Sequence, residues 1–210
     1  MSGTTVVSFY GGRTKERPIL FSAPVVRAIL QGQKTVTRRE VKKPAALDCL
    51  AAGLEPSFLT LPGNADLCPY GKVGDRLWIR EAWQADAQVN AIAPRELSHG
   101  EPIQYPADGA SRQNGCSMIT PRKTRPSIHM PRWVSRILLE TIDVRVERLQ
   151  DISEEQAEAE GVNFLRAAPD LDEKLTAAQL LDCLWSSINS VDSWNANPWV
   201  WVVEFKQVKP

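Results

Sequence analysis

Residues 22–39 read SAPVVRAILQGQKTVTRR, and this pattern predicts a helix that ends abruptly in a strand. Ser22 suits a helix N-cap, and Pro24 suits the first turn. Four apolar residues then recur at helical spacing: Val25, Val26, Ile29 and Leu30. Gly32 supplies the helix stop, and the β-branched residues that follow favour an extended chain. We therefore expect Lys34 to lie on a helix-to-strand corner.

The corner contains a candidate nucleophile and base. On a regular strand Thr37 and Arg39 share one face while Lys34 points to the other, so Lys34 and Thr37 converge only if the corner bends at Gly32. If burial lowers the pKa of Lys34, its neutral amine can take the proton of the Thr37 hydroxyl. The alternative is that Lys34, Arg38 and Arg39 form a solvated basic corner.

Short strands punctuated by a few helices predict an α+β fold, a compact mixed β-barrel with helices at its ends. The predicted strands are residues 18–21, 35–39, 77–81, 142–147 and 199–206, and the further helices are residues 151–160 and 176–188. Two regions lack sustained periodicity, at about 44–69 and 84–120. We interpret residues 1–210 as one domain with these two loop-rich insertions.

The predicted helix 151–160 ends on a carboxylate that breaks a local rule. Ser153 and Gln156 have the capping-box spacing, and Gly161 terminates the helix. Glu160 therefore lies at the C-terminal end, where the helix dipole disfavours a negative charge. This exception indicates a functional residue with an opposing cation, or else a carboxylate that frays into water.

Residues 122–136 form a basic loop that contains Trp133 and no acidic residue. Such a loop suits phosphate contact with base stacking. Alternatively, Trp133 anchors the loop in the core while its arginines pair with the acidic helix. The segment 70–83 reads as a glycine turn into a strand, and Trp78 and Trp83 are candidate walls of a pocket.

Composition excludes several classes of function. Lys plus Arg and Asp plus Glu number 25 each, so any contact with nucleic acid must be local. The chain lacks a long apolar run and a basic segment followed by an apolar one, which favours a cytoplasmic protein with no membrane partner. Four cysteines without a close pair predict reduced thiols: Cys49, Cys68, Cys116 and Cys183. Two unpaired histidines argue against a metal site, and no cofactor is predicted.

Five segments together resemble the ASCH family, within the PUA-like superfamily of small β-barrels that bind RNA or modified bases. The resemblance is to ASCH proteins frequent in phages and prophages, which would place the chain in a host cytoplasm. The segments are residues 17–22, 32–39, 70–81, 125–133 and 197–201.

Small bacterial members of that family are amidohydrolases that deacetylate the exocyclic amine of acetylated cytidine. The resemblance implies Lys34 as general base, Thr37 as nucleophile and Glu160 as the carboxylate that orients Lys34 or shuttles its proton. It also implies the N(4)-acetylcytidine class of substrate, with no metal. The candidate substrate-binding residues are Arg38, Arg39, Trp78, Arg80, Arg125, Ser127, His129, Arg132 and Trp133.

Two rival functions stay open on the sequence. A non-catalytic reader of RNA or of a modified base would use the basic, Trp-containing loop. A ribonuclease comes third, because the chain shows no acidic cluster for a metal-dependent mechanism.

Overall fold

The structure is a computed structural model that describes residues 14–112, 119–167 and 175–209. Within these ranges the chain forms four α-helices and nine strands in two sheets, which confirms the predicted α+β class. The helices are α1 (Ala23–Leu30), α2 (Pro44–Ala51), α3 (Glu154–Ala159) and α4 (Ala177–Ile188). No helix in the described ranges has the length and apolar character needed to cross a membrane.

The larger sheet has the order β1-β3-β8-β9-β2, in which only the β1–β3 pair is parallel. Its strands are β1 (Glu16–Leu20), β2 (Val36–Glu40), β3 (Arg76–Arg80), β8 (Leu138–Arg148) and β9 (Trp199–Val208). Both faces of β9 are buried, with Trp201 and Val203 in the main core and Val200 and Val202 in a second cluster behind it.

The prediction of a closed barrel is not met in the described residues, because the larger sheet is open. Its edge strands β1 and β2 do not pair with each other. They approach at one corner, where Arg39 Nη2 donates to the carbonyl oxygen of Leu20 at 2.6 Å. This side-chain hydrogen bond links the two edge strands at that corner.

The predicted insertion 84–120 contributes to a second sheet with its own core. The sheet has the order β6-β5-β4-β7, with strands β4 (Trp83–Asp86), β5 (Ile103–Gln104), β6 (Ser111–Arg112) and β7 (Pro121–Arg125). Trp83, Ile103, Tyr105 and Met130 are at most 1% exposed and pack together. Strands of two to five residues are too short to display a period, which is why the sequence predicted a loop.

The predicted insertion 44–69 is also more regular than expected. It contains α2 and two short 3₁₀ turns, and Ala46 and Leu59 are buried in the main core. The prediction of an irregular loop was therefore wrong. A two-turn helix that begins at Pro44 has too few residues to show helical periodicity, and its core contacts are with residues distant in sequence.

The capping box predicted for α3 is confirmed, whereas two apolar residues of predicted elements lie outside the core. Both halves of the Ser153 capping box are present, although α3 is shorter than predicted. A bulge between Thr141 and Asp143 turns Ile142 out of the core, so this residue is 45% exposed. Ile188 is 67% exposed at the end of α4 and does not join the buried face of that helix.

Candidate active site

The corner between α1 and β2 bends as the sequence predicts. Gly32 adopts a φ of +71°, and the amides of Gln33 and Lys34 both donate to the carbonyl of Ala28. The strand begins only at Val36. Because the bend precedes the strand, strict alternation does not apply, and Lys34 and Thr37 line the same cavity.

The C-terminal end of α3 packs directly on this corner. Thr35 N donates to the carbonyl of Ala159 at 2.9 Å. The next turn requires glycine, since Gly161 has a φ of +75° and a Cβ there would lie 2.8 Å from the Cβ of Lys34. Gly161 thus allows the close approach that brings Glu160 to Lys34.

Glu160 binds two buried cations. Lys34 Nζ donates to Glu160 Oε2 at 2.6 Å and to the backbone carbonyl of the same residue at 2.8 Å. Arg38 Nη1 donates to the other carboxylate oxygen, Oε1, at 3.3 Å. All three side chains are at most 6% exposed. The opposing cation expected for a carboxylate at a helix C-terminus is therefore present twice.

Burial holds the pKa of Lys34 below its ordinary value of 10.5. Desolvation is the largest cause, and the positive charges of Arg39 and Arg38 act in the same direction. The Glu160 carboxylate opposes them. Because desolvation outweighs the ion pair, the neutral amine becomes accessible at a lower pH than in an exposed lysine.

The Thr37 side chain lies on β2, opposite Val203 of β9, and is 3% exposed. Its hydroxyl makes no hydrogen bond to any residue that the structure describes, including Lys34. It lines the cavity beside Lys34 and Glu160. The hydroxyl is therefore uncommitted and is open to a ligand.

The cavity has a volume of about 1010 Å³, at the upper end of the range for small-molecule sites. Four aromatic side chains line it: Phe21, Tyr70, Trp185 and Trp201. None of these four aromatic residues was predicted from the sequence as a site residue. Phe21, Tyr70 and Trp201 lie in segments that carry the resemblance stated from the sequence, whereas Trp185 lies on α4, outside those segments.

Three of the nine predicted substrate contacts line this cavity: Arg38, Arg39 and Ser127. The others do not line it: Trp78, Arg80, Arg125, His129, Arg132 and Trp133. Arg80 stacks over the Trp78 ring at 4.7 Å. Arg125 is buried and donates to the backbone carbonyls of Val89 and Ile92.

The basic loop is largely engaged within the protein. Arg132 pairs with Glu16 at 2.8 Å, and Arg136 pairs with Glu81 and Asp108. Trp133 is half-buried against the second core, which fits the anchoring alternative. That alternative also had the loop arginines pair with the acidic helix, but Arg125, Arg132 and Arg136 have other partners, and Arg38 of β2 pairs with Glu160.

In the described part of the chain, no group of three or more His, Cys, Asp or Glu side chains is placed to hold a metal ion. Cys49, Cys68 and Cys183 are free thiols, and Cys116 lies outside the described residues. Burial raises the pKa of Cys68 to about 11, so this thiol stays protonated at neutral pH.

No protein-family model and no curated protein matches this sequence. A solved structure that resembles the chain is protein EF3133 from Enterococcus faecalis V583, of the family DUF984. The TM-score is 0.38 at 11% identity, and the match covers 87% of this chain and 66% of that one. The chain thus spans just under two thirds of that protein's length. A likeness at this level supports no argument about function.

Proposed function

We propose that this chain is an ASCH-type amidohydrolase that removes an acyl group from the exocyclic amine of a nucleoside or base such as N(4)-acetylcytidine. One observation carries the proposal. A buried lysine with a lowered pKa lies in the same cavity as an uncommitted threonine hydroxyl. This combination supplies a base and a nucleophile to one site.

The reaction proceeds by acyl transfer. Thr37 Oγ1 attacks the acyl carbonyl carbon while Lys34 Nζ takes the hydroxyl proton. The C–N bond breaks, and the Lys34 ammonium returns this proton to the departing amine. Water, deprotonated by Lys34, then attacks the acyl-threonine; the acid leaves, and the Lys34 ammonium returns the proton to Thr37 Oγ1. Because Thr37 and Lys34 are not hydrogen-bonded in the structure, their contact forms when substrate binds.

Glu160 holds the Lys34 amine in place and stabilises the ammonium that forms in each half of the reaction. Arg39 is the candidate for stabilising the oxyanion, because it lines the cavity and its Nε is buried with no partner among the described residues. Its guanidinium is steadied over the Phe21 ring at 5.1 Å and by the Leu20 carbonyl. A preorganised cation of this kind favours the tetrahedral intermediate.

The aromatic wall supports recognition of a base. Phe21 and Tyr70 offer flat apolar surfaces on which a nucleobase can stack. Burial raises the pKa of Tyr70, so its hydroxyl is a neutral hydrogen-bond donor at physiological pH.

The direct test is incubation of purified protein with N(4)-acetylcytidine and quantitation of cytidine and acetate. We expect a turnover rate that rises with pH and levels off below pH 10.5. The rise reflects deprotonation of Lys34, whose pKa lies below its ordinary value. Lys34→Met should lower the rate of hydrolysis by about 10²-fold or more. Lys123→Met is the matched control, since Lys123 is exposed and lies outside the cavity. Absence of turnover in the unmodified chain would reject the proposal.

A non-catalytic reader remains the rival function. It would bind an oligonucleotide through the basic loop without breaking a bond, and its affinity would fall as the salt concentration rises. Because Arg125, Arg132 and Arg136 all have partners within the protein, we expect Arg132→Ala to change oligonucleotide affinity by less than about twofold. A large loss of affinity, measured by fluorescence anisotropy at low salt, would favour the reader. Cleavage of the RNA strand itself would indicate a ribonuclease.

A further inference from the structure

Arg38 lies behind Glu160 and is almost fully enclosed. Its side chain is 1% exposed. Its Nη1 donates to Glu160 Oε1 at 3.3 Å, and its Nη2 donates to Gln156 Oε1 at 2.9 Å and to Glu147 Oε2 at 3.3 Å. These contacts leave Arg38 poorly suited to the role of substrate ligand predicted from the sequence.

We propose that Arg38 is a positioning residue that fixes the Glu160 carboxylate and limits how strongly Glu160 pairs with Lys34. The catalytic consequence rests on the proposed function, whereas the effect on Lys34 does not. Each oxygen of Glu160 serves one cation, Oε2 for Lys34 and Oε1 for Arg38. The two cations therefore share one negative charge, and the carboxylate cannot turn wholly toward either.

Charges alternate from the protein surface to the site. Arg145 Nε donates to Glu147 Oε1, and Glu147 Oε2 accepts from Arg38, which in turn binds Glu160. Side-chain exposure falls along this series, from 28% at Arg145 and 22% at Glu147 to 1% at Arg38. A change of charge at Glu147 should therefore be felt at Lys34, because the intervening groups are poorly screened.

Other charged and titratable groups also face the cavity with Lys34: Arg39, Glu40, Lys42, Lys43, Asp66 and Tyr70. Lys42 pairs with Glu40, and Lys43 donates to the Asp66 carbonyl. Lys42 and Lys43 are exposed, where water screens their charges. Burial keeps the pKa of Lys34 low, and the charges of Arg39 and Arg38 act in the same direction. Of these two arginines, only Arg38 also binds Glu160.

The test is an NMR titration of the Lys34 side chain, which requires no substrate. Arg38→Met removes a cation and frees Glu160 for Lys34, so the pKa of Lys34 should rise by about one unit. Glu147→Gln removes one of the two carboxylates that pair with Arg38, so the surroundings of Lys34 become more positive and the pKa of Lys34 should fall. Glu204→Gln is the matched control, because Glu204 pairs with Arg145 and not with Arg38. It should shift the pKa of Lys34 less than Glu147→Gln does.

Kinetics separate positioning from a merely structural role. If the chain hydrolyses N(4)-acetylcytidine, Arg38→Met should lose about tenfold in rate at neutral pH and recover at alkaline pH, as its pH profile moves upward. Arg38→Lys should keep the pKa of Lys34 while lowering kcat, because it retains the charge without the planar fork.

The expected opposite shifts would support the proposal even if no hydrolysis is found. Unchanged pKa values in both variants, or shifts of the same sign, would overturn it. So would an equal loss of activity in Arg38→Met at every pH. If Arg38→Met does not fold, the proposal is tested with Glu147→Gln and Arg38→Lys. Both should fold, because Glu147 is partly exposed and a lysine at position 38 retains the buried charge.

Discussion

Thr37→Ala should reduce hydrolysis of N(4)-acetylcytidine by at least about 10³-fold, because it removes the proposed nucleophile. The fold should tolerate the change. The Thr37 hydroxyl makes no hydrogen bond within the described residues, so its removal leaves no partner unsatisfied. Initial rates and the free energy of unfolding, measured on the same preparation, check both expectations.

Thr35→Ala is the matched control. Thr35 precedes Thr37 by two residues on the same segment, but its side chain is exposed and does not line the cavity. It should retain full activity. Thr37→Ser keeps a hydroxyl and should retain part of the rate, with an acetylated residue 37 trapped by rapid quench and mass spectrometry. Full activity in Thr37→Ala would exclude Thr37 as nucleophile and leave a water activated by Lys34.

Glu160→Ala should lower the free energy of unfolding by about 3 to 5 kcal/mol, since it leaves buried cations without their acceptor. Lys34 and Arg38 both lose the carboxylate to which they donate, although their side chains are at most 4% exposed. Chemical denaturation followed by tryptophan fluorescence measures the loss.

Glu158→Ala on the same helix is the control, because Glu158 is exposed, and it should change stability by less than about 0.5 kcal/mol. Adding Lys34→Met to Glu160→Ala should recover part of the loss, because one stranded cation is removed. A loss below about 1 kcal/mol in Glu160→Ala, as for an exposed pair, would contradict a strong buried network around Glu160.

Local sequence signals predicted much of the fold. Some signals depend only on neighbours in the chain, so the local structure they specify can be predicted without knowing the fold. These signals are the helix stop at Gly32, the Ser153 capping box and the alternation in residues 199–206. The α+β class followed from these elements. Residues 44–69 and the second sheet were missed because their helices and strands are too short to show a period. The bulge that exposes Ile142 depends on pairing with β9, which no local pattern encodes.

Local sequence patterns selected the candidates: a lysine and a threonine at a helix-to-strand corner, and a carboxylate at the wrong end of a helix. The fold was needed to pair the carboxylate with the lysine and to place the threonine on the same cavity. Lys34 and Glu160 are 126 positions apart, and their contact requires Gly161 to pack against the corner without a Cβ. Burial then lowers the pKa of Lys34, and Arg38 binds the Glu160 oxygen that Lys34 does not. Both effects come from surroundings assembled by distant segments, which residue order alone does not reveal.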